Sequence, residues 1–240
     1  NNMQNIIAVI WDFDKTLVDG YMQDPIFEEY NIDPKNFWEE VNKLPERYLK
    51  EQDVKVNPDT IYLNQFIKYA KEGKFAGLNN DKLKEFGSKL KFYPGIPDIF
   101  RTSKELLAND PACKEYNIKV EHYIVSTGFA QVIRGSSVME HIEDTWGREL
   151  IEAPDPNQEG CSIISEIGFT IDNSTKTRAI FEINKGINKN QDVNVNSNLS
   201  EEQRRISFKN MIYIADGPSD VPAFSVVKGR GGATFAIYPH

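Results

Sequence analysis

Two cysteines in 240 residues, Cys113 and Cys161, are too few for a disulfide framework, and neither forms a CxxC pair or joins a His/Cys cluster of the kind that holds zinc. His122, His141 and His240 have no partners at ligand spacing, so no chemistry is assigned to them. No apolar run approaches the ~20 residues of a membrane-spanning helix. The N-terminal stretch has no basic segment leading into an apolar one, so no secretory signal is visible. Basic residues are outnumbered 28 to 36, and a net charge of −8 leaves no surplus to neutralise nucleic-acid phosphates. These absences point to a cytoplasmic globular protein that binds neither membrane nor nucleic acid. On that reading Asn173 and Asn198, which head N-x-S/T triplets, are chance matches in an Asn-rich chain.

What is present is a series of short apolar runs: IIAVIW (6–11), HYIVS (122–126), IGFTI (167–171), MIYIA (211–215) and ATFAI (233–237). Each is of strand length and bounded by polar or Gly-containing turns. Segments with helical spacing lie between them. One follows YPGIPDIF, another runs from Thr175 to Lys185 with Ser174 or Thr175 as N-cap and Gly186 as its stop, and a third begins at Pro218. Near-continuous apolar strands alternating with helices predict a doubly wound, Rossmann-like α/β core around a parallel sheet. Residues 20–92 differ, with aromatic-rich helical patterns and no convincing strand. They read as an all-helical insertion after the first strand, so that 1–19 and 93–240 make the core domain and 20–92 a second, helical domain. The Asn-rich stretch 188–205 reads as a long surface loop. No helix follows the last strand, so a longer natural chain is expected.

The first strand runs directly into Asp12 and Asp14. Residues two apart on an extended chain point the same way, so these carboxylates repel unless a cation lies among them. Ligands of open α/β sheets sit at the carboxyl ends of the strands, and another strand end carries Asp216 and Asp220. This is a nest of hard oxygen ligands suited to Mg²⁺, which takes one or two carboxylates and completes its octahedron with water and phosphate. A site that holds Mg²⁺ in this way handles phosphate. Asp12 is the candidate nucleophile, because aspartyl-phosphate formation is an established covalent strategy. Asp14 is the candidate acid for the leaving oxygen and the base for water. Ser126, in competition with Thr127, is the candidate phosphate contact. Lys176, favoured over Lys185 and Lys209, supplies the cation that phosphoryl transfer requires.

DFDKTL (12–17) is similar to the first motif of the haloacid-dehalogenase-like hydrolases. IVSTG (124–128), TKTRAIFEINKG (175–186) and IADGPSDVPAF (214–224) resemble its second, third and fourth motifs, in order. The insertion occupies the position of that family's C1 cap, and the arrangement resembles its phosphoserine-phosphatase-like members. The resemblance implies a Mg²⁺-dependent phosphatase acting on a small phosphomonoester. It assigns the nucleophile to Asp12 and the acid/base to Asp14, whose backbone carbonyl also ligates Mg²⁺. Asp216 becomes the further metal ligand and Asp220 the second acidic position nearby, while Ser126 and Lys176 bind phosphate. Thr16, Thr127, Gly128 and Gly217 join Asp220 as residues that brace the site or contact phosphate. The insertion shows no residue set matching phosphoserine recognition, and the span from Lys176 to Asp216 is lengthened by the Asn-rich loop.

Other readings meet specific objections. A calcium loop beginning at Asp12 would need Gly and Glu at its sixth and twelfth positions, where Leu17 and Gln23 stand. A phosphotransferase or mutase would share the same chemistry with a different acceptor. A signalling receiver carries its acceptor Asp after a central strand and lacks a large insertion. A silent phosphate-binding module has no need of Asp12, Asp14, Lys176 and Asp216 together. Arg47 and Lys50 are read as a solvated face, and the aromatics Phe27, Tyr30, Phe37, Trp38, Tyr62 and Phe66 mainly as core of the insertion.

Overall fold

The structure is a computed structural model that describes residues 5–238. His240 and the outermost residues of the predicted core domain lie outside the described residues. Among these, the strands are β1 (Ile6–Trp11), β2 (Lys119–Phe129), β3 (Asp144–Pro154), β4 (Ser162–Phe169), β5 (Met211–Ala215) and β6 (Ala233–Ala236). They form one sheet in the order β4-β3-β2-β1-β5-β6. The chain steps outward from β1 to β2, β3 and β4, then returns to place β5 on the other side of β1, so the strand order reverses at β1. Five strands run parallel, with Ile10 opposite Tyr123 on one side and Tyr213 on the other.

β4 departs from the predicted all-parallel sheet. It pairs antiparallel with β3, with Pro154 opposite Ser162, because the short connection 155–161 turns the chain straight back. The predicted strand 167–171 therefore ends at Phe169 and starts at Ser162, and β3 is a strand that periodicity did not reveal.

β1 alternates strictly, which is why it sits at the centre. Val9 and Trp11 enter one buried cluster, and Ala8 and Ile10 enter another on the opposite face. The second cluster is closed by α8 (Lys176–Lys185) and α9 (Val221–Gly229), through Ala179, Ile180, Ile183, Ala223 and Val227. The predicted stop of α8 is present, with Gly186 at φ 78° in the left-handed region that glycine tolerates.

The first cluster is shared with the helical insertion: α1 (Asp24–Glu29), α2 (Pro34–Gln52), α3 (Pro58–Glu72) and α4 (Asn80–Ser88). The capping residues explain where these helices begin. Asp33, Asn57 and Asn79 each accept backbone N–H bonds from the first turns of α2, α3 and α4. Phe27, Phe37, Phe66 and Phe75 pack together, with Phe37 and Phe66 centroids 5.1 Å apart. Burying each such ring contributes about 1.5–3 kcal/mol. The insertion meets the sheet layer where α4 crosses α7 (Ala130–Gly135) at Gly87 and Gly135. A Cβ at either position would strike the other helix's backbone. α5 (Asp98–Asn109) and α6 (Pro111–Glu115) then lead into β2.

The Asn-rich loop is held at several points. Lys185 Nζ donates to the carbonyls of Val195 and Ser197 at 2.6 and 2.9 Å, and Ser200 and Gln203 form a capping box. No helix among the described residues is long and apolar enough to cross a membrane.

Candidate active site

The switch in strand order leaves a crevice beyond the carboxyl ends of β1, β2 and β5, where open α/β sheets bind their ligands. Asp12 leaves β1 there, its amide donating to Ile214 O at 2.9 Å. The following residues wind into a tight turn in which the amides of Thr16, Leu17 and Val18 all donate to Phe13 O, and Lys15 is left-handed at φ 56°. That turn brings Asp14 back toward the crevice. A cavity of ≈ 260 Å³ opens at this point, lined by Asp12, Asp14, Ser126, Thr127, Lys176, Asp216 and Asp220, and also by Lys15, Tyr21, Asn173 and Ser219.

Lys176 organises the cluster. Its side chain is 2 % exposed, and Nζ donates to Asp12 Oδ1 at 3.0 Å and to Asp220 Oδ1 at 2.8 Å. The helix start predicted near Thr175 projects it: Thr175 Oγ1 and the Asp172 carboxylate bond one another in the turn before α8. Burial works to lower the Lys176 pKa, but the Asp12 and Asp220 carboxylates outweigh it and hold the ammonium above its ordinary range. Lys185 is occupied with loop carbonyls, so Lys176 is the lysine brought to the carboxylates. Asp220 is 1 % exposed and accepts a second bond from Tyr213 OH at 2.8 Å.

Ser126 is buried, and its Oγ accepts the Gly128 amide at 2.9 Å. Ser126 and Thr127 both line the cavity, whereas Thr16, Gly128 and Gly217 do not. The Thr16 hydroxyl is buried with no hydrogen-bond partner among the described residues. Arg47 and Lys50 pair with Glu51 and Glu46 on an exposed face, away from the cavity. His122 is buried between Trp11 Nε1, which donates to its Nδ1 at 3.0 Å, and Ser103 Oγ at 2.8 Å from Nε2. Burial holds it neutral, pushing its pKa down to about 4.

The donor set fits a hard divalent cation. Asp12, Asp216 and Asp220 each present a carboxylate oxygen, all within 4.8 Å of one another. Burial pushes the Asp12 carboxyl above its ordinary range, Lys176 works against that, and Asp220 and Asp216 add to it. Asp14 is pushed up to about 7, first by burial, while the Met22 amide, donating to Oδ1 at 3.0 Å, pulls the other way. Lys176 and Lys15 together do not balance the four carboxylates that line the cavity; a divalent cation would reduce the remaining charge.

Arg148 had no signal in the sequence, and Tyr62, one of the aromatics read mainly as core of the insertion, also reaches the site. Tyr62 of α3 donates its hydroxyl to Thr127 O at 3.1 Å and lies under the Arg148 guanidinium, 4.7 Å from its ring centroid. Arg148 is 1 % exposed, and no carboxylate among the described residues lies within ion-pair distance of it. It donates instead to Ile171 O at 3.0 Å and Asp59 O at 2.8 Å, joining the loop before Lys176 to the start of α3. Arg148→Met leaves both carbonyls without that donor, so a loss of about 2–4 kcal/mol is expected in urea unfolding. An unchanged midpoint and slope would contradict it.

With this geometry in view, comparisons with known proteins place the chain. No family model matches it. Its fold is similar to those of solved HAD family hydrolases and phosphoserine phosphatases. A HAD family hydrolase from Salmonella enterica serovar Typhi superposes with a TM-score of 0.57 at 13 % identity, over 98 % of this chain and 68 % of that one. An apo phosphoserine phosphatase gives 0.53 at 13 % identity, over 96 % and 85 %. A substrate-bound phosphoserine phosphatase complex gives 0.51 at 14 %, over 98 % and 95 %. The chain belongs to the same family as an uncharacterized protein of Borreliella burgdorferi. The two are 37 % identical over 235 residues, which cover 95 % of this chain and 80 % of that one.

Proposed function

We propose that the protein is a Mg²⁺-dependent phosphatase that hydrolyses a small phosphomonoester through an aspartyl-phosphate on Asp12. The observation that carries this reading is the placement of Asp12 at the strand-order switch, with Lys176 Nζ 3.0 Å from its carboxylate and Asp14 and Asp216 lining the same cavity.

An Asp12 carboxylate oxygen attacks phosphorus, forming the acyl-phosphate bond as the ester P–O bond breaks. Asp14 delivers its proton to the departing oxygen. In the second half, Asp14 takes a proton from water as that water attacks phosphorus, and the Asp12 carboxylate leaves. A carboxyl near pH 7 is suited to both duties, since it is present in acid and base forms at neutral pH. The Ser126 hydroxyl and Lys176 ammonium bind the phosphoryl oxygens. Asp12, Asp216 and the Asp14 carbonyl would hold Mg²⁺, which would supply further positive charge to the phosphoryl group.

In this reading residues 20–92 act as a cap on a core formed by 1–19 and 93–240. Supporting it, Tyr62 reaches from α3 to the carbonyl beside Ser126. The cap excludes water and selects small substrates. A cytoplasmic setting, free of membrane and nucleic-acid partners, completes the proposal.

The reading is tested by phosphate release from p-nitrophenyl phosphate and a panel of small phosphomonoesters. Turnover that requires Mg²⁺ and stops with chelator is expected. Folded, Mg²⁺-replete protein that releases phosphate from none of them would defeat it.

A second expectation concerns stability. Asp14 has a folded pKa of about 7 against an ordinary 3.8, so between these values the metal-free fold keeps a proton that the unfolded chain has released. Its stability therefore falls as pH rises across that window and levels off above it. Mg²⁺ replaces the missing positive charge, and its rise in Tm is expected to be larger at pH 8 than at pH 5. Differential scanning calorimetry would reveal this; an equal Mg²⁺ shift at both pH values would contradict it.

A further inference from the structure

Met22 belongs to the connection between β1 and α1 and is fully buried. Its backbone amide donates to Asp14 Oδ1 at 3.0 Å. Its side chain crosses to β2, where Sδ accepts the Phe129 amide at 3.1 Å. Between these points lies Gly128, where a Cβ would collide with the Met22 Sδ and Cε atoms. The Gly128 amide in turn donates to Ser126 Oγ at 2.9 Å. One residue, through its backbone amide and its side chain, thus joins three parts of the site: the carboxylate after β1, the start of the insertion, and the strand end that carries Ser126.

We infer that Met22 is a positioning residue, whose sulfur, seated over Gly128 on the Phe129 amide, fixes the backbone N–H that aims the Asp14 carboxyl. The inference rests on the reading of Asp14 as general acid and base. It also gives Gly128 a role: the residue is absent from the cavity wall, and its missing side chain is the space that Met22 fills. A thioether is a weak acceptor, so the anchor depends on close seating as much as on the hydrogen bond. Replacing Met22 by Leu keeps an apolar side chain of similar volume but removes the acceptor, leaving the buried Phe129 amide without its partner. A methyl group at Gly128 forces Met22 to move and carries its amide away from Asp14.

The expected signature depends on the leaving group. p-Nitrophenolate departs without a proton, whereas the alkoxide of ethyl phosphate requires one from the general acid. A correctly placed general acid contributes roughly 10²–10⁴-fold. Because Asp14 also serves the second half-reaction that all esters share, the readout is kcat/KM, which reports only the steps through transfer to Asp12. Gly128→Ala is accordingly expected to lower kcat/KM on ethyl phosphate by about 100-fold, and Met22→Leu by about 10-fold. Met22→Leu should leave kcat/KM on p-nitrophenyl phosphate within a few-fold of wild type, and Gly128→Ala, which adjoins Ser126, should lower it by a smaller factor than on ethyl phosphate. Combining Gly128→Ala with Met22→Ala removes the colliding atoms and should recover part of the ethyl phosphate rate.

A merely structural defect would lower both substrates alike. Equal losses on the two esters, or a double variant no better than Gly128→Ala alone, would overturn the inference. Amide hydrogen exchange on the same proteins separates this from the phosphatase reading. If wild type hydrolyses neither ester, the phosphatase reading fails. The coupling then stands only if Met22→Leu accelerates exchange in both the 13–22 and 126–129 segments while the remaining core keeps its protection. Unchanged exchange there would overturn the coupling as well.

Discussion

Asp12→Asn is expected to abolish Mg²⁺-dependent phosphate release while leaving a folded protein. The side chain keeps its shape, but an amide is a poor nucleophile and cannot form the acyl-phosphate. Losing a covalent nucleophile of this kind lowers kcat by a factor on the order of 10⁵–10⁶. The fold should tolerate the change, because Lys176 retains Asp220 at 2.8 Å as an ion-pair partner. Burial already opposes ionisation of Asp12, so a neutral side chain relieves part of the local crowding. At pH 8 without Mg²⁺ the variant should be at least as stable as wild type in urea. The two assays address different links: the rate tests Asp12 as nucleophile, and the unfolding midpoint tests whether its charge is strained in the metal-free fold. Turnover within tenfold of wild type would require a different attacking group. A large loss of stability at pH 8 would mean that its ion pair with Lys176 outweighs the carboxylate crowding.

The parts of this site that were readable before the fold are those whose chemistry and position coincide in one short segment. Asp12 and Asp14 follow a strand whose alternation is visible, and the helix start that places Lys176 follows from local punctuation and its Gly186 stop. β3 was not readable for an equally local reason. Its sequence DTWGRELIEAP mixes a glycine, an arginine and acidic residues among the apolar ones, and Arg148, which hydropathy places outside, is 1 % exposed. Without β3, the antiparallel turn into β4 could not be seen either. Tyr213 read as strand core, yet its hydroxyl bonds Asp220. Met22 carries no polar side-chain signal, and its partner Phe129 is 107 residues away. Such contacts are set by how the insertion docks on the sheet, and that docking depends on the close crossing of Gly87 and Gly135, invisible to any window of a few residues.

Lys176→Met is expected to affect both rate and stability, and the pH dependence of the second effect identifies its cause. In the wild type one buried ammonium bonds Asp12 and Asp220, which are themselves almost fully buried. Removing one partner of a buried ion pair leaves charge uncompensated and typically costs about 3–5 kcal/mol. In the metal-free protein that cost should approach its full size at high pH, where Asp12, whose pKa burial raises, is ionised. As pH falls Asp12 takes up its proton, part of the uncompensated charge disappears, and the loss should shrink by pH 5. Mg²⁺ should also reduce the loss at pH 8, since it faces the same carboxylates. It should not restore turnover, because the phosphoryl oxygens still lack the ammonium; removing one such preorganised contact lowers kcat by roughly 10²–10³-fold. Urea unfolding at pH 5 and pH 8, each with and without Mg²⁺, distinguishes the alternatives. A stability loss equal at both pH values and indifferent to Mg²⁺ would show that Lys176 acts through packing of its methylenes. A loss confined to high pH and relieved by Mg²⁺ would show that its charge holds the carboxylate cluster together.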